Sequence, residues 1–212
     1  MTKRAIDAIR TLARTEGILA GGSSGVALAA AFELAAELTA QDVLVVVLPD
    51  SGRSYLSTYF DDDWLAAAGF DAGAGEPTDD APTVGGQATP ITWLDAEERV
   101  GAAQQQLLAR PGSVGLLVHR RAHRDLPPHP SEVIGAVSAH RLSGLGGDLP
   151  AALVSEPVTR RAGVGERSAR TAARLAGFDG PDRWALVLDQ GRVVAVPALE
   201  RLNDAQKETT HG

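Results

Sequence analysis

The sequence predicts an α/β protein in two parts, residues 1–70 and 88–203, joined by a linker. The apolar run at residues 43–48 does not alternate with polar residues, which is typical of a parallel strand buried on both faces. Residues 71–87 are rich in Gly, Pro and Asp and lack periodicity, which is typical of a linker. Beyond the linker, a unit of roughly sixty residues occurs twice, and a duplicated unit packs against its twin to share a core.

Two helices are predicted at the start of the chain. Residues 2–15 carry apolar side chains at helical spacing, and Gly17 is suited to end the helix. The sequence GGSSG then introduces a second, strongly apolar helix, which we expect to be largely buried. Either Ser23 or Ser24 can accept hydrogen bonds from the free N–H groups at its start.

Two short helices are predicted after the apolar run. They cover residues 54–60 and 61–69, and the second begins with three aspartates, which the positive end of a helix dipole favours. Gly69 is expected to close it.

The repeated unit of residues 88–203 consists of a helix, an apolar strand and a second strand that runs into a helix start. We assign these elements to residues 96–109, 114–118 and 133–142 in the first copy, and to 166–176, 184–188 and 192–202 in the second. A tail at residues 204–212 is polar.

The insertion at residues 119–132 separates the two strands of the first copy. His119 and His123 are spaced like metal ligands, but the arginines around them repel cations and no carboxylate or thiolate cluster completes a site. We therefore predict a solvated loop and no metal site.

Composition excludes several classes of protein. The chain has 212 residues, 44% of them apolar, and a formal net charge of −7. A phosphate-backbone binder needs a positive surface, so a nucleic-acid partner is not expected. Cysteine is absent, and no apolar run is long enough for a membrane span, so we expect a cytoplasmic protein without disulfides.

The GGSSG segment at residues 21–25 has several interpretations. It fits a tight turn with a helix N-cap, and the same geometry serves an anion site at the helix start. Gly21, Ser23 and Gly25 also match the G-x-S-x-G pattern of a nucleophile elbow. We reject a catalytic serine because only about twenty residues precede it, and an elbow serine follows several strands of its sheet. The candidate histidine bases all lie in the insertion.

A fourth interpretation rests on resemblance to a family. EGILAGGSSG, then a strand ending LPDSGRSYLST, then FDDDWLAAAGF, resembles the last part of the catalytic domain in cystathionine β-synthases and cysteine synthases. These are pyridoxal-phosphate enzymes of fold type II, so residues 1–70 are expected to form a partial three-layer segment of that domain. The resemblance implies that Ser23 hydrogen-bonds the pyridine nitrogen, beside Gly22, Pro49 and Asp50. It also implies β-replacement on serine-type substrates, in the biosynthesis of cysteine or cystathionine.

The chain departs from that family where the cofactor is anchored. The segments that carry the Schiff-base lysine, the substrate carboxylate loop and the phosphate loop have no counterpart in it. The two lysines, Lys3 and Lys207, stand at a helix start and in the polar tail. We therefore assign no catalytic residue and expect no catalysis by this chain alone. Activity would need an N-terminal catalytic half, as a separate subunit or lost through a frameshift or misplaced start codon.

Residues 88–203 resemble a tandem pair of CBS domains, an α+β regulatory module that follows the catalytic domain in many cystathionine β-synthases. The resemblance lies in GSVGLLVHRR, EVIGAVSAHRL and DRWALVLDQGRVVAVPALERL, which approximate the pattern G-h-h-T-x-x-D-h, where h is apolar. Ser138 keeps the hydroxyl, but Ala198 replaces it in the second copy. Arg141 and Arg201 stand where the pattern has the ribose-binding Asp.

Three interpretations of the second half stay open. A guanidinium cannot accept hydrogen bonds from ribose hydroxyls, so the pair could be a ligand-free homodimerisation module. Ser138 and Arg141 could instead favour a phosphate-bearing adenosyl ligand. The third is a non-catalytic regulator that senses an adenine nucleotide or S-adenosylmethionine and uses residues 1–70 for docking.

Overall fold

The computed structural model describes residues 1–70, 83–119, 126–175 and 184–198. The chain divides into two compact units, Met1–Leu65 and Ala66–Gly212. The first consists of helices and turns, whereas the second combines helices with two three-stranded sheets. Within the described residues, no helix has the length and apolar character that a membrane span requires.

Helices α1 (Lys3–Glu16) and α2 (Gly22–Ala35) form the core of the first unit. The Thr2 side chain accepts a hydrogen bond from the Ala5 N–H and caps α1. Gly17 ends α1 in the left-handed conformation, with φ of 69°. The first helix and its stop at Gly17 are confirmed, with both ends one residue later than the predicted range of 2–15.

The two helices approach closely along a stripe of small residues. Ile6 and Ile9 of α1 are fully buried, and Gly25 of α2 lies against the backbone of α1, so that a β-carbon there would collide with the Ala5 carbonyl oxygen. The remainder of α2 is largely exposed, including its Phe32 side chain. The expectation of a largely buried second helix is therefore wrong, because α1 covers only one of its apolar faces.

The predicted buried strand at residues 43–48 is not formed. These residues have no strand partner, and Val43, Val45 and Val47 are 87%, 81% and 75% exposed. A parallel strand buried on both faces requires neighbouring strands and covering helices. The described residues of the first unit contain no sheet, so the expected three-layer segment is not present in them.

The segment after the apolar run is only partly helical. A single 3₁₀ turn, Gly52–Tyr55, replaces the helix predicted at residues 54–60. The Tyr55 carbonyl at its end accepts the N–H groups of both Thr58 and Phe60, a pattern that does not continue as an α-helix. Helix α3 (Asp62–Ala67) is capped by Asp61, whose carboxylate accepts the Trp64 N–H at 2.7 Å. Gly69 follows with φ of 74°, as predicted for the residue that ends the helix.

The second unit contains two sheets of identical topology. In each sheet, the first strand is parallel to the second, central strand, and the third strand is antiparallel to it. The antiparallel pair has a register shift in both sheets, between Leu117 and Val118 and between Val187 and Leu188. The strands are β1 (Ile91–Asp95), β2 (Val114–Val118) and β3 (Val133–Val137) in the first copy, and β4 (Arg160–Gly163), β5 (Ala185–Asp189) and β6 (Arg192–Ala195) in the second.

The internal repeat is confirmed, but each copy has one more strand than the sequence predicted. The missed strands are β1 and β4. Strand β1 has the sequence Ile-Thr-Trp-Leu-Asp, whose β-branched and aromatic residues favour a strand. Strand β4 has the sequence Arg-Arg-Ala-Gly, which carries no strand pattern. The predicted helices are shorter in the structure. They are α4 (Val100–Leu108), α5 (Ala139–Leu142) and α6 (Ser168–Leu175).

Residues 83–87, predicted as linker, are packed into the second unit. Val84 is fully buried against the helix and strands of the second copy, and its N–H donates to the Glu166 carbonyl at 3.0 Å. Residues 71–82 of the predicted linker lie outside the described residues. The error at 83–87 has a plain cause, since one valine among glycines gives no periodic signal but fills one core position.

The segments that lead into each copy are exchanged between the copies. Thr89, ahead of the first copy, bridges Val196 of the second, and Glu156, ahead of the second copy, bridges Ala136 of the first. The same exchange places Ala151 in the core of the first copy. The sheet of each copy is therefore extended by the segment that precedes the other copy.

The two sheets also share a core, as the repeat predicted. Val114, Leu116 and Ala136 of the first copy pack with Leu186 and Val193 of the second, and all five are essentially buried. Burial of this apolar surface links the stability of the two copies.

The described end of the insertion, residues 126–132, is largely exposed, as predicted for a solvated loop, but it is also held by hydrogen bonds. His129 caps a 3₁₀ turn, Pro130–Glu132, and its own N–H donates to the Glu132 carboxylate at 2.7 Å. The Pro128 carbonyl accepts the Val193 N–H at 2.9 Å, which fixes the segment to β6. Residues 120–125, including His123, lie outside the described residues.

The His129 cap predicts a pH dependence of stability. Partial burial, together with the charges of Arg161 and Arg192, holds the pKa of His129 below its ordinary value of 6.5, although Glu132 opposes this. As the pH falls through about 6.5, His129 is protonated more readily in the unfolded chain than in the folded one. The stability that is present at neutral pH is therefore lost as the pH falls. We expect the thermal midpoint to fall more between about pH 7.5 and 5.5 in the wild type than in His129→Asn, which keeps a capping acceptor. Parallel decreases in the two proteins would contradict this assignment.

Candidate ligand cleft

Ser138 and Arg141 lie together immediately after β3. Ser138 is the N-cap of α5, and its hydroxyl accepts the Arg141 N–H at 3.2 Å. The Arg141 guanidinium donates from Nε to the Val154 carbonyl at 2.7 Å and from Nη1 to Glu156 at 2.8 Å. The structure thus brings together the two residues predicted as a nucleotide site, and it adds a carboxylate to them.

Glu156 belongs to the segment that leads into the second copy. Its position is fixed by the bridge to Ala136, in which each residue donates its N–H to the other's carbonyl at 2.8 and 2.7 Å. The side chain is 16% exposed and pairs with Arg141 through Oε1. The described residues supply no hydrogen-bond donor to its other carboxylate oxygen, Oε2.

These groups line a cavity of about 420 Å³ between the copies. Trp184, which stands at the start of β5 and bridges Ala198, supplies an aromatic wall. His140 completes the lining. The cavity therefore combines an indole ring, a hydroxyl, an ion pair and an imidazole, and its volume is in the range of small-molecule sites, about 300–1,000 Å³.

The arrangement is suited to a ligand with a flat ring and polar substituents. An indole can stack on a nucleobase, a guanidinium with free N–H groups can bind phosphate, and a carboxylate can accept hydroxyl donors. Two of the five Arg141 N–H groups are used in the bonds to Val154 and Glu156, so three remain for a ligand.

The equivalent position in the second copy lacks most of these groups. The shared sheet register places Ala198 at the position of Ser138, Thr89 at that of Glu156 and Val114 at that of Trp184. Thr89 and Val114 are buried. Arg201, the counterpart of Arg141, lies outside the described residues.

The predicted cofactor residues surround the start of α2 in the first unit. Gly21, not a serine, is the N-cap, so the expected side-chain cap is not formed. The Ser24 hydroxyl is buried and instead exchanges two hydrogen bonds of 3.0 Å with the Asp50 backbone. Ser23 is exposed and has no hydrogen-bond partner within the described residues. Gly22 is buried against Tyr59.

Asp50 lies beside the helix start, where the sequence suggested a bound anion. Its carboxylate lies against Gly21, where a β-carbon would collide with it, and its carbonyl accepts the Gly21 N–H at 2.8 Å. A hydrogen bond to Asp50 and the charge of its carboxylate raise the pKa of Tyr55. Pro49 precedes it and is exposed. The four predicted residues therefore gather at one helix end, where the Asp50 carboxylate accepts a hydrogen bond from the neutral Tyr55 phenol.

Of the two lysines, only Lys3 belongs to the described residues, and it does not lie at this place. Lys3 pairs with Asp7 at 2.8 Å on the surface of α1, and Lys207 lies outside the described residues. In the described ranges, no three His, Asp or Glu side chains gather as metal ligands would. His119, at the end of β2, donates its N–H to the Glu132 carbonyl at 2.9 Å.

Sequence reasoning missed Glu156, Trp184 and His140. Glu156 and Trp184 are distant along the chain from Ser138, and only the exchanged segments bring them together. An isolated tryptophan at the start of an apolar strand was the one available signal, and it is equally typical of a core residue.

The comparisons with known proteins give two kinds of likeness. No family model matches the chain. Cystathionine β-synthase of Apis mellifera is 42% identical over 65 residues, 31% of this chain and 13% of that protein. The enzyme of the same name from Saccharomyces cerevisiae is 49% identical over 59 residues, 26% of this chain and 12% of that protein. N-(2-amino-2-carboxyethyl)-L-glutamate synthase of Ralstonia nicotianae is 47% identical over 57 residues, with shares of 27% and 17%.

The chain thus spans between 11% and 13% of the length of the first curated relatives it matches. Among solved structures, the soluble part of a magnesium transporter has a TM-score of 0.44 and 17% identity over 63% of this chain and 50% of its own. The CBS domain of a bacterial CNNM/CorC Mg²⁺ transporter in complex with ATP also has a TM-score of 0.44, at 14% identity, with shares of 59% and 87%. The CBS domains of a Streptococcus pneumoniae transcriptional regulator give 0.42 and 13%, with shares of 59% and 99%. At these TM-scores we draw no conclusion about this chain from the structural similarity.

Proposed function

We propose that the second unit is a regulatory CBS-type module that binds an adenosyl ligand in the cleft of Ser138, Arg141, Glu156 and Trp184. The observation that carries this proposal is the cavity itself, to which the two copies contribute complementary groups. The first copy supplies the hydroxyl and guanidinium, and the second supplies the ring and carboxylate.

A ligand between two copies is suited to regulation. Because the walls of the cleft belong to different copies, a bound ligand favours the arrangement in which both walls contact it. The described lining contains no nucleophile activated by an adjacent base, so we assign it binding and not catalysis. The three remaining Arg141 donors favour a phosphate or another anionic substituent.

Calorimetric titration of the purified chain with AMP, ATP and S-adenosylmethionine tests the proposal. We expect a saturable signal with at least one of them, and a rise in the thermal midpoint at saturation. Silent titrations with all three, without a thermal shift, would contradict it.

Replacement of Trp184 by leucine separates this cleft from other binding positions. Loss of base stacking is expected to weaken binding about tenfold or more. Trp64→Leu makes the same chemical change in the first unit, and we expect it to leave the affinity unchanged. Equal losses in the two variants would place the ligand elsewhere.

A second proposal concerns the first unit, and its support is the identity of 42–49% to cystathionine β-synthases over 59–65 residues. We infer that residues 1–70 are the matched segment and derive from the catalytic domain of a pyridoxal-phosphate enzyme. Such an enzyme would catalyse β-replacement on a serine-type substrate, and the second unit would regulate it.

The residues present fit only one side of that cofactor. The Ser23 hydroxyl at the start of α2 has no partner among the described residues and is suited to hydrogen-bond a pyridine nitrogen. The bound cofactor would supply an electron-withdrawing ring, and a neutral hydroxyl on its nitrogen would reduce that withdrawal. Asp50 is engaged by Tyr55, and Lys3 is engaged by Asp7. The described residues do not anchor the cofactor, so we derive no catalytic step through it.

The DNA upstream of Met1 tests the second proposal. A lysine-bearing catalytic half is expected there, in frame or displaced by a frameshift, or in a neighbouring gene whose product binds this chain. An unrelated upstream region, together with no such partner in the genome, would contradict it.

A further inference from the structure

The carboxylate that recognises ribose in the CBS pattern is missing from its usual position in this chain. Arg141 stands there instead, and a guanidinium has no acceptor for a hydroxyl donor. Yet the structure places a carboxylate on the same cavity, from Glu156 in the segment that leads into the second copy. Arg141 itself holds this carboxylate, through Nη1 and Oε1 at 2.8 Å.

We propose that Glu156 is the residue that selects ribose in this cleft, by accepting hydrogen bonds from the vicinal hydroxyls of an adenosyl ligand. The inference rests on the proposed function and adds to it the group of the ligand that is read. Arg141, which replaces the usual acid, becomes a positioning residue that orients the relocated acid.

Three features of Glu156 support this role. Its Oε2 atom has no donor from the described residues, whereas Oε1 is fixed by Arg141, so the carboxylate presents a free acceptor in a defined orientation. The side chain is 16% exposed, so a donor from the ligand competes with little water. Its backbone is fixed on both sides by the bridge to Ala136, which limits the movement of the side chain.

The second copy supplies a natural comparison. Thr89 stands at the position of Glu156 there and is buried, so the equivalent carboxylate is absent. Selection of ribose is therefore expected at one cleft per chain, because the described residues at the other cleft include no acid at this position.

The test compares adenosine, 2′-deoxyadenosine and adenine by calorimetry. For the wild type we expect adenosine to bind about tenfold or more tightly than 2′-deoxyadenosine, since a hydrogen bond to a charged group is lost. In Glu156→Gln this ratio should fall to about threefold or less, because the amide accepts more weakly and is no longer held by an ion pair. Adenine, which lacks the sugar, should bind the wild type and the variant with similar affinity.

Two controls separate the inference from general effects of charge or folding. Glu37→Gln removes one carboxylate from the exposed end of the first unit, and Thr89→Val changes the equivalent position of the second copy. Both should retain the wild-type ratio. A ratio near one in the wild type, or an unchanged ratio in Glu156→Gln, would overturn the role of Glu156 while leaving an adenosyl site in place. Failure of adenosine, AMP and ATP all to bind the wild type would overturn the site itself.

Discussion

Replacement of Gly163 by alanine is expected to lower the free energy of unfolding of the second unit by about 3 kcal/mol. Gly163 ends β4, and a β-carbon there would collide with the Ala66 carbonyl oxygen and approach Gly69 at 3.2 Å. Both neighbours are backbone, so the clash cannot be relieved by a side-chain rotation. Because domains of this size are stabilised by roughly 5–15 kcal/mol, the loss is a large share of the total.

Gly86→Ala is the matched control for this prediction. Gly86 is exposed, and a β-carbon there would meet only the Thr83 hydroxyl, at 3.9 Å. Its effect should stay within about 0.5 kcal/mol. Urea unfolding followed by circular dichroism measures both variants. Equal stabilities would show that the chain at residues 66–70 does not pass against β4 as the structure has it.

Amide hydrogen exchange is expected to divide the chain sharply. The amides of residues 43–48 form no backbone hydrogen bond within the described residues, so they should exchange at close to the rate of an unfolded chain. Strand β2 is central, with partners on both sides. Its amides should exchange at least about a thousandfold more slowly than those of residues 43–48, because they become exposed only when the whole second unit unfolds.

Protection of residues 43–48 equal to that of β2 would contradict this expectation, because it would require strand partners for this segment. The comparison needs no variant, since α1 supplies an internal reference in the same unit. The helical amides near Ile6 and Ile9 are bonded and buried, and their protection should lie between the two extremes.

An element can be predicted from the sequence when the interactions that form it involve residues close together in the chain. Helix α1 was predicted with its stop because capping and periodicity act over a few residues, from Thr2 to Gly17. Strand β2 was predicted to the residue because a fully buried run is legible by itself. The run at residues 43–48 has the same pattern and forms no strand, because pairing depends on neighbours that the described chain does not supply.

The candidate cleft was half predictable for the same reason. Ser138 and Arg141 follow one strand, and they were identified there by the resemblance of that segment to the CBS pattern. Glu156 and Trp184 come from segments that are adjacent to them only after the lead-in segments have been exchanged. No local sequence pattern predicts a contact between such distant segments. The ion pair of Arg141 with Glu156 is therefore seen only in the folded structure.

The exchange of lead-in segments has a consequence for how this unit divides. A fragment cut before Pro150 would keep all three strands of the first sheet but lose Ala151 and Glu156, which complete that sheet and its core. The complementary fragment would lose Val84 and Thr89 in the same way. The natural folding element is therefore not one repeat but a reciprocal pair, and two such fragments produced apart should regain structure by complementation when they are mixed.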